Sequence, residues 1–305
     1  MSTGSPNSFL RRSPVAAYFL LTFLISWSAA FAITAHSFVR GQALPKLVGL
    51  LIFPAMLVGP CISGILLTWL IDGRDGLHNL FARLRRWRVA SKWYALLLLP
   101  PELVLLVLFL LKSVVSTGFA PNKFYIGILF GIPAGVFEEI GWMGYAYPKM
   151  VLKWSPLKSA IVLGLLWSLW HLPAINFLGA SAPHGSYWFA FFLAFSLAMT
   201  AIRVLICWQY SHTNSVLLAQ FMHISSTGTL VVFSPPVSPS HETMWYAIYG
   251  GALWVVVGMI AAKRGRELRV DPRNSPPLVA DGLTTGRSTI PVHKSFRAAD
   301  AHAAR

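Results

Sequence analysis

Val136-Phe137-Glu138-Glu139-Ile140-Gly141-Trp142-Met143-Gly144-Tyr145 sets two adjacent carboxylates inside a long apolar stretch. On a membrane-spanning helix one charge costs roughly 2.5–3.5 kcal/mol at the bilayer centre on insertion scales. Ionisable residues at that depth normally pair with one another or line a water-filled cavity. The stretch therefore decides two matters together: its apolar residues indicate a transmembrane helix, and its carboxylates indicate that this helix carries a site.

The rest of the chain agrees with a membrane setting. Of its 305 residues, 55% are hydrophobic and only 11% are charged, where a soluble domain would carry about 25% charged residues. Mean hydropathy is +0.60. The formal net charge is +15, and the basic residues cluster beside apolar segments, as cytoplasmic flanks do. Binding to nucleic acid requires a basic groove or aromatic platform on a folded soluble domain. No stretch remains to build one, so nucleic acid is not an expected partner; the bilayer is. Cys61 and Cys207 both lie inside apolar segments and read as small buried hydrophobes, not as a disulfide framework or Cys-rich metal site.

The pattern predicts an all-α polytopic membrane protein with about eight transmembrane helices. Residues 1–13 form a polar cytoplasmic segment, 14–262 the helical domain, and 263–305 a basic tail with too few apolar residues to pack, expected to be disordered. The spans fall at about 14–35, 47–71, 93–111, 123–149, 158–178, 187–208, 214–233 and 245–262. The first apolar run is long for a signal-peptide core and reads as an uncleaved helix. Between the second and third spans, Leu77, Leu80, Phe81, Leu84 and Trp87 recur at helical spacing among Arg83, Arg85, Arg86 and Arg88. That pattern predicts an amphipathic helix in the cytoplasmic interface. With the N terminus inside, the cytoplasmic segments hold Arg11 and Arg12, Arg74 through Lys92, Lys149, Lys153 and Lys158, and Lys263 through Arg269; the outer loops hold Arg40, Lys46, Lys112 and Lys123. This asymmetry places both termini in the cytoplasm.

In that orientation three polar side chains share one depth. Glu138 lies about 16 Å from the inner flank at Lys149, His171 about 20 Å from Lys158, and His223 about 16 Å from His212, at 1.5 Å rise per residue. Three helices thus bring a carboxylate and two imidazoles to one level, which points to a shared cavity. A carboxylate and a histidine can activate one water between them, and a second histidine can stabilise the oxyanion of a tetrahedral intermediate. The same groups could instead hold a zinc ion with its water, although the His-Glu-x-x-His signature of soluble zinc proteases is absent. Glu138 and Glu139 project about 100° apart on a helix, so one is expected to face the cavity and the other a neighbouring helix. Trp167 and Trp170 read as packing residues, and Arg203 and Glu102 as intramembrane charges with no partner identifiable from sequence.

These residues resemble the CPBP (Abi) family of intramembrane proteases, which includes CAAX prenyl endopeptidases and bacteriocin-processing proteins. The family's first motif, Glu-Glu-x-x-x-Arg, reads here Glu138-Glu139-Ile140-Gly141-Trp142-Met143. Its second, an aromatic, three intervening residues and then a histidine, reads Trp167 to His171. Its third, His-x-x-x-Asn, reads His223-Ile224-Ser225-Ser226-Thr227. A core of about 120–232 carries the likeness. The resemblance implies an endopeptidase of a bacterial plasma membrane, acting on a peptide or protein substrate near the inner leaflet. Glu138, aided by His171, would activate the water. His223 and the residue at 227 would hold the oxyanion, and Glu139 would support Glu138. Catalysis would run either with zinc or through a metal-free Glu/His mechanism. Two positions depart from the motifs. Met143 replaces the arginine, leaving Glu139 without its usual cationic neighbour. Thr227 replaces the asparagine but can still donate a hydrogen bond from the same helix face, as could Gln220. These departures keep a second reading open, an inactive immunity or scaffold protein. Paired Glu and His are also compatible with a proton-coupled transporter, though the chain shows no internal repeat of the kind transporters have.

Overall fold

The computed structural model describes residues 10–42, 44–178 and 184–263. All elements among them are helical: α1 (Pro14–Val39), α2 (Lys46–Leu84), α3 (Lys92–Val114), α4 (Tyr125–Met150), α5 (Pro156–Trp170), α6 (Leu172–Leu178), α7 (Trp188–Thr213), α8 (Val216–Phe233) and α9 (Pro239–Lys263). The basic tail expected after Lys263 and the segment before Leu10 lie outside the described residues. Among the described residues seven helices are long and apolar enough to cross a membrane. This is the all-α, polytopic architecture that the hydropathy pattern predicts.

The expected fifth span, 158–178, is not one continuous helix. It breaks at His171, between α5 and α6. Pro173 supplies the reason: it has no N–H, and its ring crowds the carbonyl four residues back. The break frees backbone groups that need new partners in a membrane. The His171 N–H turns back to the Ser168 carbonyl at 3.2 Å, and the Trp170 carbonyl accepts from the Trp27 indole of α1 at 3.1 Å.

Helix α4 is irregular for a related reason. Pro133 removes a donor from its ladder, and π-helical turns follow at Ala134–Glu138 and Trp142–Ala146, separated by one α-helical turn at Glu139–Gly141. Such π turns recur at functional sites. Gln220 of α8 donates to the Val136 carbonyl within the first of them at 2.8 Å.

Helices α7 and α8 form a tight hairpin. Asn214 sits in the left-handed region at φ 47° and closes α7, and the Ser215 side chain caps α8 by accepting from the Leu218 N–H at 3.1 Å. Asn tolerates that conformation and Ser favours the cap. The turn sets Arg203 of α7 and His223 of α8 at nearly equal depth. Helix α7 is buried on most of its circumference and packs on α5, α8 and α9, while α1 packs on α2.

The amphipathic segment forms as the end of α2, beyond a kink at Gly73 (φ 67°). Leu80 is buried, yet Phe81 and Trp87 face outward and the basic Arg83 turns inward. Its guanidinium donates to the Tyr210 hydroxyl at 2.6 Å and the Gly144 carbonyl at 2.8 Å. A carbonyl inside a π-helical turn is an open acceptor, and the long arginine reaches it from the interface.

Gly127, Gly131 and Gly135 recur every fourth residue on α4 and face α8. A Cβ added at Gly131 would come within 2.7 Å of the Gly228 Cα, and one at Gly135 within 2.7 Å of the Gln220 carbonyl. Small residues at this spacing let membrane helices approach backbone to backbone, and here they bring Glu139 up to His223. Gly131→Val forces that seam apart. Overpacking of this kind costs about 1–3 kcal/mol, so the variant's melting temperature in detergent falls by several degrees; an unchanged melting curve would contradict the close contact.

Candidate active site

Glu138 closes the first π-helical turn of α4 and Glu139 opens the α-helical turn after it, so the two carboxylates leave the helix on different sides. Glu138 is 2% exposed and Glu139 is fully buried. Their environments differ in kind. The Glu138 Oε2 accepts from the indole of Trp167 at 2.7 Å and from that of Trp142 at 3.1 Å. Glu139 accepts from Arg203, whose Nη1 lies 2.8 and 2.9 Å from its two oxygens, and from the His223 Nδ1 at 2.7 Å. The cationic partner that Met143 cannot supply is therefore present, on α7. Its hydrogen bonds also direct Glu139 towards His223, and none joins it to Glu138 among the described residues.

The histidines are oriented from behind. The His223 Nδ1 faces the Glu139 carboxylate, and the His171 Nδ1 lies 2.7 Å from the Trp167 carbonyl. Both partners only accept, so both Nδ1 atoms carry hydrogen and both Nε2 atoms are left for other work. His171 is the partly exposed member of the group, whereas His223 is buried. Glu138, His223 and Arg203 all lie close enough to act electrostatically on His171.

Trp167 joins these groups. Besides donating to Glu138, its ring lies edge-on to His171 and to His223, each at 5.1 Å between centroids, and the Arg203 guanidinium sits 4.1 Å from its centre. The packing role expected of Trp167 understates it: its N–H is a polar ligand of a buried carboxylate. Trp170 does pack, with its ring 4.9 Å from His171 and 5.9 Å from Trp142. Thr227 lies one turn beyond His223 on α8, partly buried, and no hydrogen bond ties it to Glu138, His171 or His223. Gln220 is held instead by the Val136 carbonyl.

Residues 120–228 match the family model described as Rce1-like, type II CAAX prenyl endopeptidase. The chain is also 28% identical over 221 residues to the CAAX prenyl protease 2 of Methanococcus maripaludis, an alignment covering 68% of this chain and 80% of that relative. The matched segment holds both carboxylates, both histidines, Trp167 and Arg203. The chain is thus similar, over this segment, to CPBP-type intramembrane proteases. The likeness and the seven apolar helices support a membrane peptidase, and Met143 and Thr227 both lie inside the matched segment.

Zinc does not fit the donors as they stand. Among the described residues no group of three or more His, Cys, Asp or Glu side chains is arranged to hold a metal ion. The Glu139 oxygens are engaged by Arg203 and His223, so no step below is routed through a metal.

Trp167→Phe keeps an aromatic side chain but deletes the indole donor to Glu138. A hydrogen bond to a charged group is worth roughly 1.5–3 kcal/mol, so turnover of the folded protein falls about 10- to 100-fold, and the smaller ring also lowers the melting temperature by leaving a cavity. Wild-type turnover in this variant would remove Trp167 from the site.

Proposed function

We propose that this protein is a membrane endopeptidase in which Glu138 and His171 activate a water that attacks a peptide bond, with His223 holding the oxyanion. The observation that carries this reading is the convergence on Trp167. Its indole donates to Glu138, its ring lies against both His171 and His223, and Glu139 holds His223 from Nδ1. A water between the Glu138 Oε1 and the His171 Nε2 gives both hydrogens to acceptors and keeps a lone pair free for the carbonyl carbon. As the C–O bond forms, its proton passes to Glu138, and the former carbonyl oxygen takes a negative charge. The His223 imidazolium, balanced by Glu139, donates from Nε2 to that oxygen, and the Thr227 hydroxyl is the second donor. Glu138 then protonates the leaving nitrogen as the C–N bond breaks, giving a carboxylic acid and an amine.

The substrate class follows from the relatives. The matching family model and the archaeal relative are both described as CAAX prenyl proteases, so we assign a polypeptide bearing a prenylated cysteine near its C terminus. A groove of about 310 Å³ supports the assignment. Val15 and Phe19 of α1, Trp154, and Val162 and Leu166 of α5 line it, and Ser13 and Lys153 stand at its polar end. Phe19 stacks on Trp142 at 6.0 Å, and Trp142 donates to Glu138. An apolar chain in that groove lies one aromatic contact from the water-activating carboxylate. The basic flanks favour an orientation with Lys153 on the cytoplasmic side, cleavage near the inner leaflet and both termini cytoplasmic.

The test is an internally quenched peptide with an S-farnesyl cysteine followed by three residues, presented to the protein in proteoliposomes. Wild-type protein cleaves it, Glu138→Gln does not, and removing the farnesyl group raises KM. Undiminished cleavage by Glu138→Gln would end this reading.

A further inference from the structure

The cation beside Glu139 does not stand where the family's first motif would put it. In the family's first motif the arginine lies one turn after the second glutamate, at the position Met143 occupies here. The structure shows what fills both places. Met143 is fully buried, and its Sδ lies 3.9 Å from the Cys207 Sγ of α7. Cys207 is itself one turn after Arg203. Two facing rungs therefore join α4 to α7: Glu139 with Arg203, and Met143 with Cys207.

Arg203 is built into this place. It is fully buried, and its Nη1 reaches both oxygens of Glu139 while Nε and Nη2 find no hydrogen-bond partner. The ring of Trp167 covers the guanidinium instead. Gly164 of α5 makes the room, since a Cβ there would come within 3.2 Å of the Arg203 Cβ and 2.8 Å of the Thr200 Cα. Arg83, also turned inward, contrasts with it: Arg83 meets a hydroxyl and a backbone carbonyl, whereas Arg203 meets the carboxylate that also aims His223.

We infer that Arg203 is a positioning residue of the active site: it has taken over, from the facing helix, the work of the motif arginine missing at Met143, fixing Glu139 so that Glu139 fixes His223. The inference rests on the assignment of Glu138, His171 and His223 as the reacting groups. It also explains why a chain lacking the motif arginine keeps both glutamates. The cation beside Glu139 comes from α7, and at the motif position Met143 packs against Cys207.

The farnesylated peptide in proteoliposomes tests this with two variants. Arg203→Met lowers kcat about 10- to 100-fold, the scale of coupling within one hydrogen-bonded network, with KM close to wild type and an altered pH–kcat profile. The exchanged variant Met143→Arg with Arg203→Met returns the cation to the motif position and recovers about tenfold or more of that loss. A merely structural arginine would leave the pH profile of the folded remainder unchanged. Wild-type kcat in Arg203→Met overturns the inference, and so does an exchanged variant that folds yet turns over no faster than Arg203→Met. If Arg203→Met alone does not fold, the exchanged variant decides: near-wild-type kcat supports the relocation, and a folded but inactive protein refutes it. Glu138→Gln in the same assay separates the two claims, because retained turnover there removes the reaction scheme while the rescue still reports on Arg203.

Discussion

A carboxylate and a guanidinium buried among apolar helices constrain this structure more than any other contact. Taking either ion out of water costs several kcal/mol, and removing one partner strands the other at a cost of about 3–5 kcal/mol. Glu139 and Arg203 are both at zero exposure, so each requires the other, and α4 and α7 must meet at that depth. Because His223 donates to the same carboxylate oxygen, α8 is drawn to the same point. The ion pair thus fixes three helices and one imidazole ring.

The backbone is arranged to allow it. Regular helices would present one uniform face each, but α4 widens into π-helical turns on both sides of Glu139, and the α5–α6 segment breaks at His171. Each irregularity frees backbone groups, and each is answered by a side chain from elsewhere: Gln220 at Val136, Arg83 at Gly144, Trp27 at Trp170. The glycine seam between α4 and α8 then sets the approach of the two helices. Rigid packing around an irregular backbone holds the reacting groups in place without loops, which a lipid environment would not tolerate.

Much of this was legible in the sequence. Apolar runs and the basic flanks gave the membrane class, and equal depth singled out Glu138, His171 and His223 before any coordinates. What could not be read was lateral: hydropathy carries depth but not which helix faces which. Arg203 was visible as an intramembrane charge, yet nothing linear connects position 139 to position 203. Trp167 reads as packing in the sequence because an indole's single N–H leaves no trace in a periodicity. The break at His171 was foreshadowed by Pro173, and the four-residue spacing of Gly127, Gly131 and Gly135 was a contact signal in plain view.

The central proposal is a division of labour between the adjacent glutamates, in which Glu138 is proposed to meet the water and Glu139 to work through His223. A double-mutant cycle on kcat addresses that division most directly, using Glu139→Gln, His223→Asn and the two together on the farnesylated peptide. If Glu139 acts through His223, the double variant is no slower than His223→Asn alone, as expected of residues that function as a unit. If Glu139→Gln slows the His223→Asn protein by the same factor as it slows wild type, the two act independently and the account is wrong.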